Sequence, residues 1–307
     1  MADLALIKKL REATGCGIAD CNKALSACND NYEEAVDWLR KKGLSSAAKK
    51  SSRNATEGLI GISIDGNKAS MVEVNSETDF VARNDKFQEL VLNCAKATLN
   101  IDNSDSIVDN IKNQTVNGKK IADEFTDKIA SIGENLQLRR AKIAKLNGNG
   151  AIVSYIHNQA ATNLGKIGVL VVLESNADKN ALQELGKQIA MHIAATKPEF
   201  LDKTQVPSER LNREKEILVE QAKTSGKPQN IIDKMIEGRI KKFYEEICLL
   251  DQNFVMDDKL KIADVLKNFE KTSGSSVKIT DYVLFILGEG LEKKENDFAA
   301  EVASMTK

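Results

Sequence analysis

Prolines are few, three in 307 residues, and aromatic residues make up only 5% of the chain, so helix breakers are rare and the chain reads as helix-rich. An excess of charge of one sign is missing too. The formal net charge is −1, which argues against a protein that lives on nucleic acid, where a basic surplus is needed. No apolar run approaches the roughly 20 residues that span a bilayer. Met1-Ala2-Asp3-Leu4 lacks the basic and apolar regions of a signal peptide, and no Arg-rich transit segment precedes the first helical pattern, which predicts a cytoplasmic protein. The five cysteines are odd in number and the only histidines are His157 and His192. Cys16 and Cys21 find no second ligand pair at short spacing, so no metal site is expected and the thiols read as reduced and mostly buried. Phosphate loops of the Gly-x-x-x-x-Gly-Lys-Ser/Thr kind, Gly-x-Gly-x-x-Gly, Gly-x-Ser-x-Gly and His-Glu-x-x-His are all absent. Gly288-Glu289-Gly290 lacks the rest of a phosphate loop and reads as a turn. His157 follows an apolar strand with no carboxylate partner nearby in sequence, which favours a structural or contact role over that of a base. Together these absences predict an interaction protein without a cofactor, not an enzyme.

What is present is the composition of a soluble globular protein, 42% hydrophobic and 29% charged, long enough for two or more domains. Residues 4–43 read as three short helices. Leu4, Ile7 and Leu10 set the first stripe, and Ile18, Cys21, Ala24 and Leu25 the second. Asn31 is a candidate N-cap with Glu34 three residues on, before a third stripe that Gly43 closes. Trp38 is expected in the core or as a half-buried cover. Ser45 to Asn54, with Lys49, Lys50 and Arg53, is either a basic RNA patch or a solvated linker. The shortage of aromatics to stack bases favours the linker.

An internal repeat follows. Gly58 to Val74 gives a hairpin around Asp65-Gly66-Asn67, then a helix from Lys86 to Ala97 with Asp85 as candidate N-cap. Ala151 to His157 and Ile167 to Glu174 repeat the hairpin, and a helix through Leu182 to Leu185 follows. Two similar α+β halves are expected to pack together. Asn103 to Asp109 reads as a loop, a helix ends near Gly133, and Leu136 to Ile143 reads as a strand joining the halves. Ser208 to Leu249 reads as an antiparallel helical hairpin, with Leu211, Leu218 and Ala222 facing Ile232, Ile236, Ile240, Phe243 and Ile247. Packing on the core, projection as an arm and a homodimer seam all stay open. The tail predicts a helix near 262–269, a strand near 282–287 and a last amphipathic helix with Phe298, Val302 and Met305 on one face, docked on the core or gripping a partner. The expected divisions are 1–54, 55–140, 141–203, 204–253, 254–290 and 291–307.

Between the first hairpin and its helix stands Glu77-Thr78-Asp79-Phe80-Val81-Ala82-Arg83-Asn84, one large apolar residue in a polar setting. An average Phe is core. Here the charged flanks, and the plain polar turn at the matching point of the second half, favour an outward partner-binding anchor.

These residues resemble the elongation factor Ts family, the guanine-nucleotide exchange factors of elongation factor Tu. The resemblance runs through Leu10-Arg11-Glu12, Thr14-Gly15-Cys16-Gly17, Asp20-Cys21, Glu73-Val74-Asn75, Thr78-Asp79-Phe80-Val81-Ala82, Ile132-Gly133-Glu134-Asn135, Ile189-Ala190-Met191-His192, Lys197-Pro198-Glu199-Phe200, Ser225-Gly226-Lys227-Pro228 and Phe298-Ala299-Ala300-Glu301-Val302. It implies an α+β multidomain fold: a ubiquitin-associated-like N-terminal module, a two-part core, a helical hairpin and a C-terminal module. It also implies that Thr78, Asp79, Phe80 and Val81 form the partner-binding segment that dislodges Mg²⁺ from elongation factor Tu and promotes GDP release, with Asp79 and Phe80 as its intruding pair. Arg11, Ile18 and Asp20, then Ile132 and Gly133, would touch the GTPase domain, and His157 the third domain. Asn22 stands where many family members carry lysine, and Ala19 where they carry a larger apolar residue, which implies a weaker or rearranged N-terminal contact. The other reading left open is a chaperone-like or RNA-associated translation accessory.

Overall fold

The computed structural model describes residues 3–223 and 229–292. The expected turn at Ser225–Pro228, the expected contact of the Ala222 side chain and the expected face of Phe298, Val302 and Met305 lie outside what is described. Helices α1 (Leu4–Thr14), α2 (Ile18–Ala27) and α3 (Tyr32–Lys50) form the N-terminal module. Leu10, Cys21, Ala24, Leu25, Ala35 and Leu39 close its core. Asn31 caps α3 as its spacing predicts, accepting from the N–H groups of Glu33 and Glu34. Trp38 is half-buried, with the Lys42 ammonium 5.4 Å from its ring centre.

Gly43 does not end α3, and 45–50 is not a linker. The helix runs on through Gly43 to Lys50 because its far half lies on another helix, α6, introduced below. Gly43 is buried there, and a Cβ on it would sit 3.4 Å from Thr126 Cγ2. Leu39, Gly43 and Ala47 recur every fourth residue, the spacing of one helix face. The small residues let the two helices approach, and Arg40–Asp123 at 3.0 Å and Lys50 Nζ to the Ile129 carbonyl at 3.3 Å tie them. The basic residues of this stretch therefore include one that helps dock the module on the core.

The first half of the core begins with the hairpin β1 (Glu57–Asp65) and β2 (Lys68–Ser76). A 3-10 turn, Asp79–Arg83, leads into α4 (Asp85–Thr98). The cap of α4 is Asn84, one residue earlier than Asp85: its side-chain oxygen takes the Lys86 N–H at 2.9 Å. Then come α5 (Ile107–Asn113), in part of the stretch expected as loop, a small hairpin of β3 (Thr115–Val116) and β4 (Lys119–Lys120), α6 (Ile121–Ile132) and β5 (Gln137–Lys145). The second half has β6 (Gly150–Ala161), β7 (Leu164–Ser175) and α7 (Lys179–Thr196). The helical hairpin, α8 (Ser208–Lys223) and α9 (Gln229–Ile247), follows. The chain then returns through β8 (Asn253–Phe254), β9 (Asp257–Lys261), α10 (Ile262–Ser273) and β10 (Val277–Ile286).

Six strands make one antiparallel sheet in the order β10-β7-β1-β2-β5, with β6 on β7. β5 pairs along β2 at the edge and is not the join. The halves meet through a short pairing of β1 with β7 at Ile60↔Gly165 and Gly61↔Leu164. Leu59, Val72 and Val74 face α4 to α6; Val169, Val171 and Leu173 face α7 and α10. Their strand neighbours Ile60, Ile62, Met71, Leu170 and Val172 meet Val283 and Phe285 in a third core between the halves. Strands buried on both faces read as continuous apolar runs, which is how they look in the sequence.

The repeat extends to single residues. Gly58 opposes Asn75 with φ +129, and a Cβ there would lie 2.1 Å from the Val74 carbonyl oxygen. Gly150 opposes Glu174 with φ +151, and its Cβ would lie 1.9 Å from the Leu173 oxygen. Each hairpin thus uses a glycine near the start of its first strand where backbone crosses backbone too closely for any side chain.

Glu73, fully buried on β2, locks the halves. Its carboxylate takes Arg139 Nη1 at 2.9 Å, Arg140 Nε at 2.5 Å and the Gly288 N–H at 2.9 Å. Burial pushes its pKa up, but the Gly288 N–H and the two arginines outweigh that and hold it below the usual carboxylate value. The expected turn at Gly288-Glu289-Gly290 is the far wall of this lock.

Among the described residues α8 and α9 pack chiefly on each other, burying Leu218 and Ile232, so the hairpin projects as an arm. Its foot is tied to the second half: Ile247 O accepts the N–H of Phe200 at 3.0 Å, and Lys261 pairs with Glu245 at 2.8 Å. Beneath the foot lies His192, fully buried, with Nε2 3.0 Å from Gln252 Oε1 and Nδ1 accepting the Val255 N–H at 3.3 Å. Gln252 in turn donates to the Glu246 carbonyl at 2.8 Å. Burial lowers the His192 pKa, against the Gln252 bond. No helix among the described residues is long and apolar enough to cross a membrane.

Candidate interaction face

Phe80 is 76% exposed, and it stands on a turn rooted by two buried residues. Val81 and Ala82 in the same 3-10 turn are buried in the core of the first half, where Phe87 of α4 also packs. Val81 is therefore a root of the turn and not a surface contact, unlike its neighbours in the sequence expectation. Gln88 of α4 reaches back to hold the Ala82 carbonyl at 2.9 Å. Asp79 is exposed beside Phe80, and Thr78 is half-buried behind them.

The entry to the turn is fixed from α6. Gly133 ends that helix in the left-handed region (φ 90), and the next two residues reach across. The Glu134 carboxylate accepts the Thr78 N–H at 2.9 Å and the Thr78 hydroxyl at 2.6 Å. The Asn135 N–H donates to Glu77 Oε1 at 2.6 Å, and the Asn135 amide donates to the Arg53 carbonyl at 2.8 Å. Segments far apart in sequence, 51–53, 77–78 and 134–135, thus form one hydrogen-bonded joint under Asp79 and Phe80.

Two open clefts flank the turn and share Arg83 and Asp85. One, of about 1100 Å³, is lined by Thr78, Asp79, Phe80 and, across from them, Asn158, Gln159 and Ala160 at the end of β6. His157 is the exposed residue just before that lip, its Nδ1 3.1 Å from the Tyr155 hydroxyl. The other cleft, of about 620 Å³, joins Arg11, Gly15, Cys16 and Gly17 of the N-terminal module to Arg83–Lys86 and to Ile132. Ile18, 57% exposed, follows Gly17 at the start of α2. The structure therefore gathers Arg11, Ile18, Ile132 and Gly133 on one side of Phe80 and His157 on the other. Asp20 is the least available, because Lys42 Nζ holds its carboxylate at 2.6 Å. Ala19 is exposed on α2; the next position but two, Asn22, has an amide oxygen that is buried with no partner among the described residues.

Two residues that matter here were not singled out from the sequence. Glu134 stood only as part of Ile132-Gly133-Glu134-Asn135, and Glu73 only as part of Glu73-Val74-Asn75. Neither has a local pattern that names its partner, since the bonds close loops of 56 and 66 residues.

An α+β core carrying a docked helical module, a projecting arm and one braced aromatic on a shared face has the build of a partner-binding factor. Residues 77–289 match the family described as Elongation factor TS. Elongation factor Ts of Rhodospirillum centenum is 52% identical over 304 residues, covering 98% of this chain and 97% of that protein. The proteins of the same name from Brucella ovis and Brucella canis are each 50% identical over 303 residues, covering 99% of this chain and 98% of theirs. The chain belongs to the elongation factor Ts family, whose members serve the elongation stage of protein biosynthesis.

Proposed function

We propose that the protein is a guanine-nucleotide exchange factor that binds elongation factor Tu in its GDP form, displaces Mg²⁺ and speeds GDP release so that GTP can rebind. The observation that carries the reading is Phe80, three-quarters exposed on a turn rooted by buried Val81 and Ala82 and hydrogen-bonded at its Thr78 entry. Such a residue costs nothing to expose further and little to hold in place, so it can be pushed between packed elements of a partner as a wedge. Asp79 beside it brings a carboxylate to the same point, where it competes with or repels the groups that hold Mg²⁺.

No chemical step on the protein is required. A factor that binds the nucleotide-free or distorted GTPase more tightly than the GDP form weakens GDP binding by the same ratio, since the coupling is reciprocal. On this reading the segments 1–54 and 55–140, with 291–307, hold the GTPase domain through Arg11, Ile18, Asp20, Ile132 and Gly133. The second half would hold the third domain through His157. Thr78 and Val81 support the wedge from behind.

The test is release of a fluorescent GDP from purified elongation factor Tu in stopped flow, with and without this protein. Acceleration that saturates with protein concentration, and needs more factor as Mg²⁺ is raised, is expected. An unchanged release rate refutes the reading.

A further inference from the structure

A threonine at the start of a turn usually caps it by accepting a backbone N–H. Thr78 does not: it is the residue before the 3-10 turn, and its hydroxyl makes no cap bond. It is turned away and donates to Glu134 Oε1 at 2.6 Å, while its N–H donates to the other oxygen of the same carboxylate at 2.9 Å. Its carbonyl accepts the Ser76 hydroxyl at 2.9 Å. Every polar group of Thr78 is thereby bound, and two of the three bonds go to one charged side chain from another element. Bonds to an ionised acceptor are roughly twice as strong as neutral ones. The local turn has been left uncapped, and the segment is held instead from the end of α6.

The consequence is mechanical. Asp79 and Phe80 are the next residues after Thr78, so the direction in which Phe80 stands depends on where Thr78 is held. Glu134 follows Gly133 directly, so the clamp is covalently next to the Ile132–Gly133 corner that ends α6. We propose that Glu134 is a positioning residue for exchange: it aims the Asp79–Phe80 turn, and it couples docking at the end of α6 to the depth to which Phe80 enters the partner. The proposal rests on the wedge reading of Phe80. It adds that the wedge acts only when its base is clamped.

The experiment measures GDP release from elongation factor Tu over a range of factor concentrations, so that the saturated rate and the half-saturating concentration are read separately. Four variants are compared with the parent: Glu134→Ala, Glu134→Gln, Phe80→Ala and the double Phe80→Ala/Glu134→Ala. Glu134→Ala is expected to lower the saturated rate about tenfold while moving half-saturation by less than about threefold. Glu134→Gln is expected to keep most of the rate, because its amide oxygen can accept the Thr78 N–H and its amide nitrogen can donate to the Thr78 hydroxyl. The double variant is expected to be no slower than Phe80→Ala alone, since a clamp has nothing to aim once the ring is gone.

Three results overturn the proposal. In one, Glu134→Ala keeps the saturated rate while Phe80→Ala loses it. In another, Glu134→Gln is as slow as Glu134→Ala, which places the charge itself against the partner. In the third, the losses of the two single variants add in the double. An unchanged rate for Phe80→Ala is a different failure: it removes the wedge reading itself. If Glu134→Ala melts early, Thr78→Val reads the same clamp by removing the hydroxyl donor alone, with about a threefold loss expected and no loss overturning the proposal.

Discussion

Replacing Phe80 with alanine separates folding from function. The ring is 76% exposed in the free protein, so truncating it removes little packing, and a stability change within about 0.5 kcal/mol is expected. On docking the same exposure becomes the resource. A phenylalanine side chain can bury roughly 150–250 Å², and three-quarters of that is about 110–190 Å². At about 25 cal/mol per Å² this is worth about 3–5 kcal/mol if all of it leaves water. Alanine keeps part of that area, and inserting the ring costs some of the partner's own packing, so about 1–2 kcal/mol is the expected net loss at the exchange step. That corresponds to GDP release roughly five- to thirtyfold slower at saturating factor. The concentration needed for half-saturation changes less, because Arg11, Ile18, Ile132 and His157 are still in place on either side. Stopped-flow release of a fluorescent GDP, with the melting temperature of each protein taken in parallel, gives both numbers. A saturated rate within twofold of the parent, with the fold intact, refutes the reasoning.

The other expectations concern charge and pH. Asp79→Asn keeps the shape and removes the charge, so several-fold slower release is expected in millimolar Mg²⁺ and a smaller difference in chelator, read in the same assay. Glu73→Ala leaves Arg139 and Arg140 without their buried acceptor. Both arginines keep some contact with water, so about 2–4 kcal/mol of destabilisation is expected in urea unfolding. Because its partners lower the folded pKa of Glu73, that carboxylate stabilises the fold above the ordinary carboxylate value. The stabilisation is lost as pH falls through the folded value, and Glu73→Gln should flatten this acid limb. His192 titrates the other way in charge but not in sign. Burial lowers its folded pKa below the ordinary 6.5, so between the two values the unfolded chain holds the extra proton, and stability falls as pH falls through that window. Hydrogen exchange at the foot of the arm, near Glu246 and Gln252, should rise with it, and His192→Gln should remove the dependence.

Most elements were legible because their signals are local. The Asn31 cap, the Gly133 stop, the two-residue hairpin at Gly66 and the helical period that buries Leu218 and Ile232 all depend on residues close to one another in sequence. Where the reading failed, a distant partner had overridden a local cue. Gly43 looks like a helix end until Thr126 and Ala130 are seen against it, and the alternation of Leu39, Gly43 and Ala47 was the signal that could have shown a packed face. The cap of α4 moved from Asp85 to Asn84 because the 3-10 turn before it, rooted by buried Val81 and Ala82, fixes where the chain arrives. The edge position of β5 was not readable at all, since an alternating strand carries no mark of which neighbour it will pair with. The candidate face was half legible: one unusual Phe can be seen in the sequence, but the joint that braces it is built from residues 51–53, 77–78 and 134–135 and exists only in the fold.

The repeat explains what kind of addition the Phe80 turn is. β2 ends at Ser76 and β7 at Ser175, and each helix that follows starts from a side-chain cap, Asn84 or Asp178. In the second half only residues 176–178 lie between strand and helix, and the Ser175 hydroxyl simply takes the Ala177 N–H at 3.1 Å. In the first half residues 77–84 fill the same gap. The shorter connection already satisfies the geometry of strand, cap and helix, so the scaffold does not need the longer one. A longer loop between two rigid elements adds conformational freedom that must be removed if its tip is to point anywhere. Here that is done by burying Val81 and Ala82, by the Gln88 bond to Ala82 and by the Glu134 clamp on Thr78. A loop lengthened and then braced from three sides, with its one large apolar side chain left outside, is built to present that side chain. Shortening residues 77–84 to the pattern of 176–178 should therefore keep the two halves folded and abolish the acceleration of GDP release. If the shortened protein exchanges as well as the parent, the loop is packing after all.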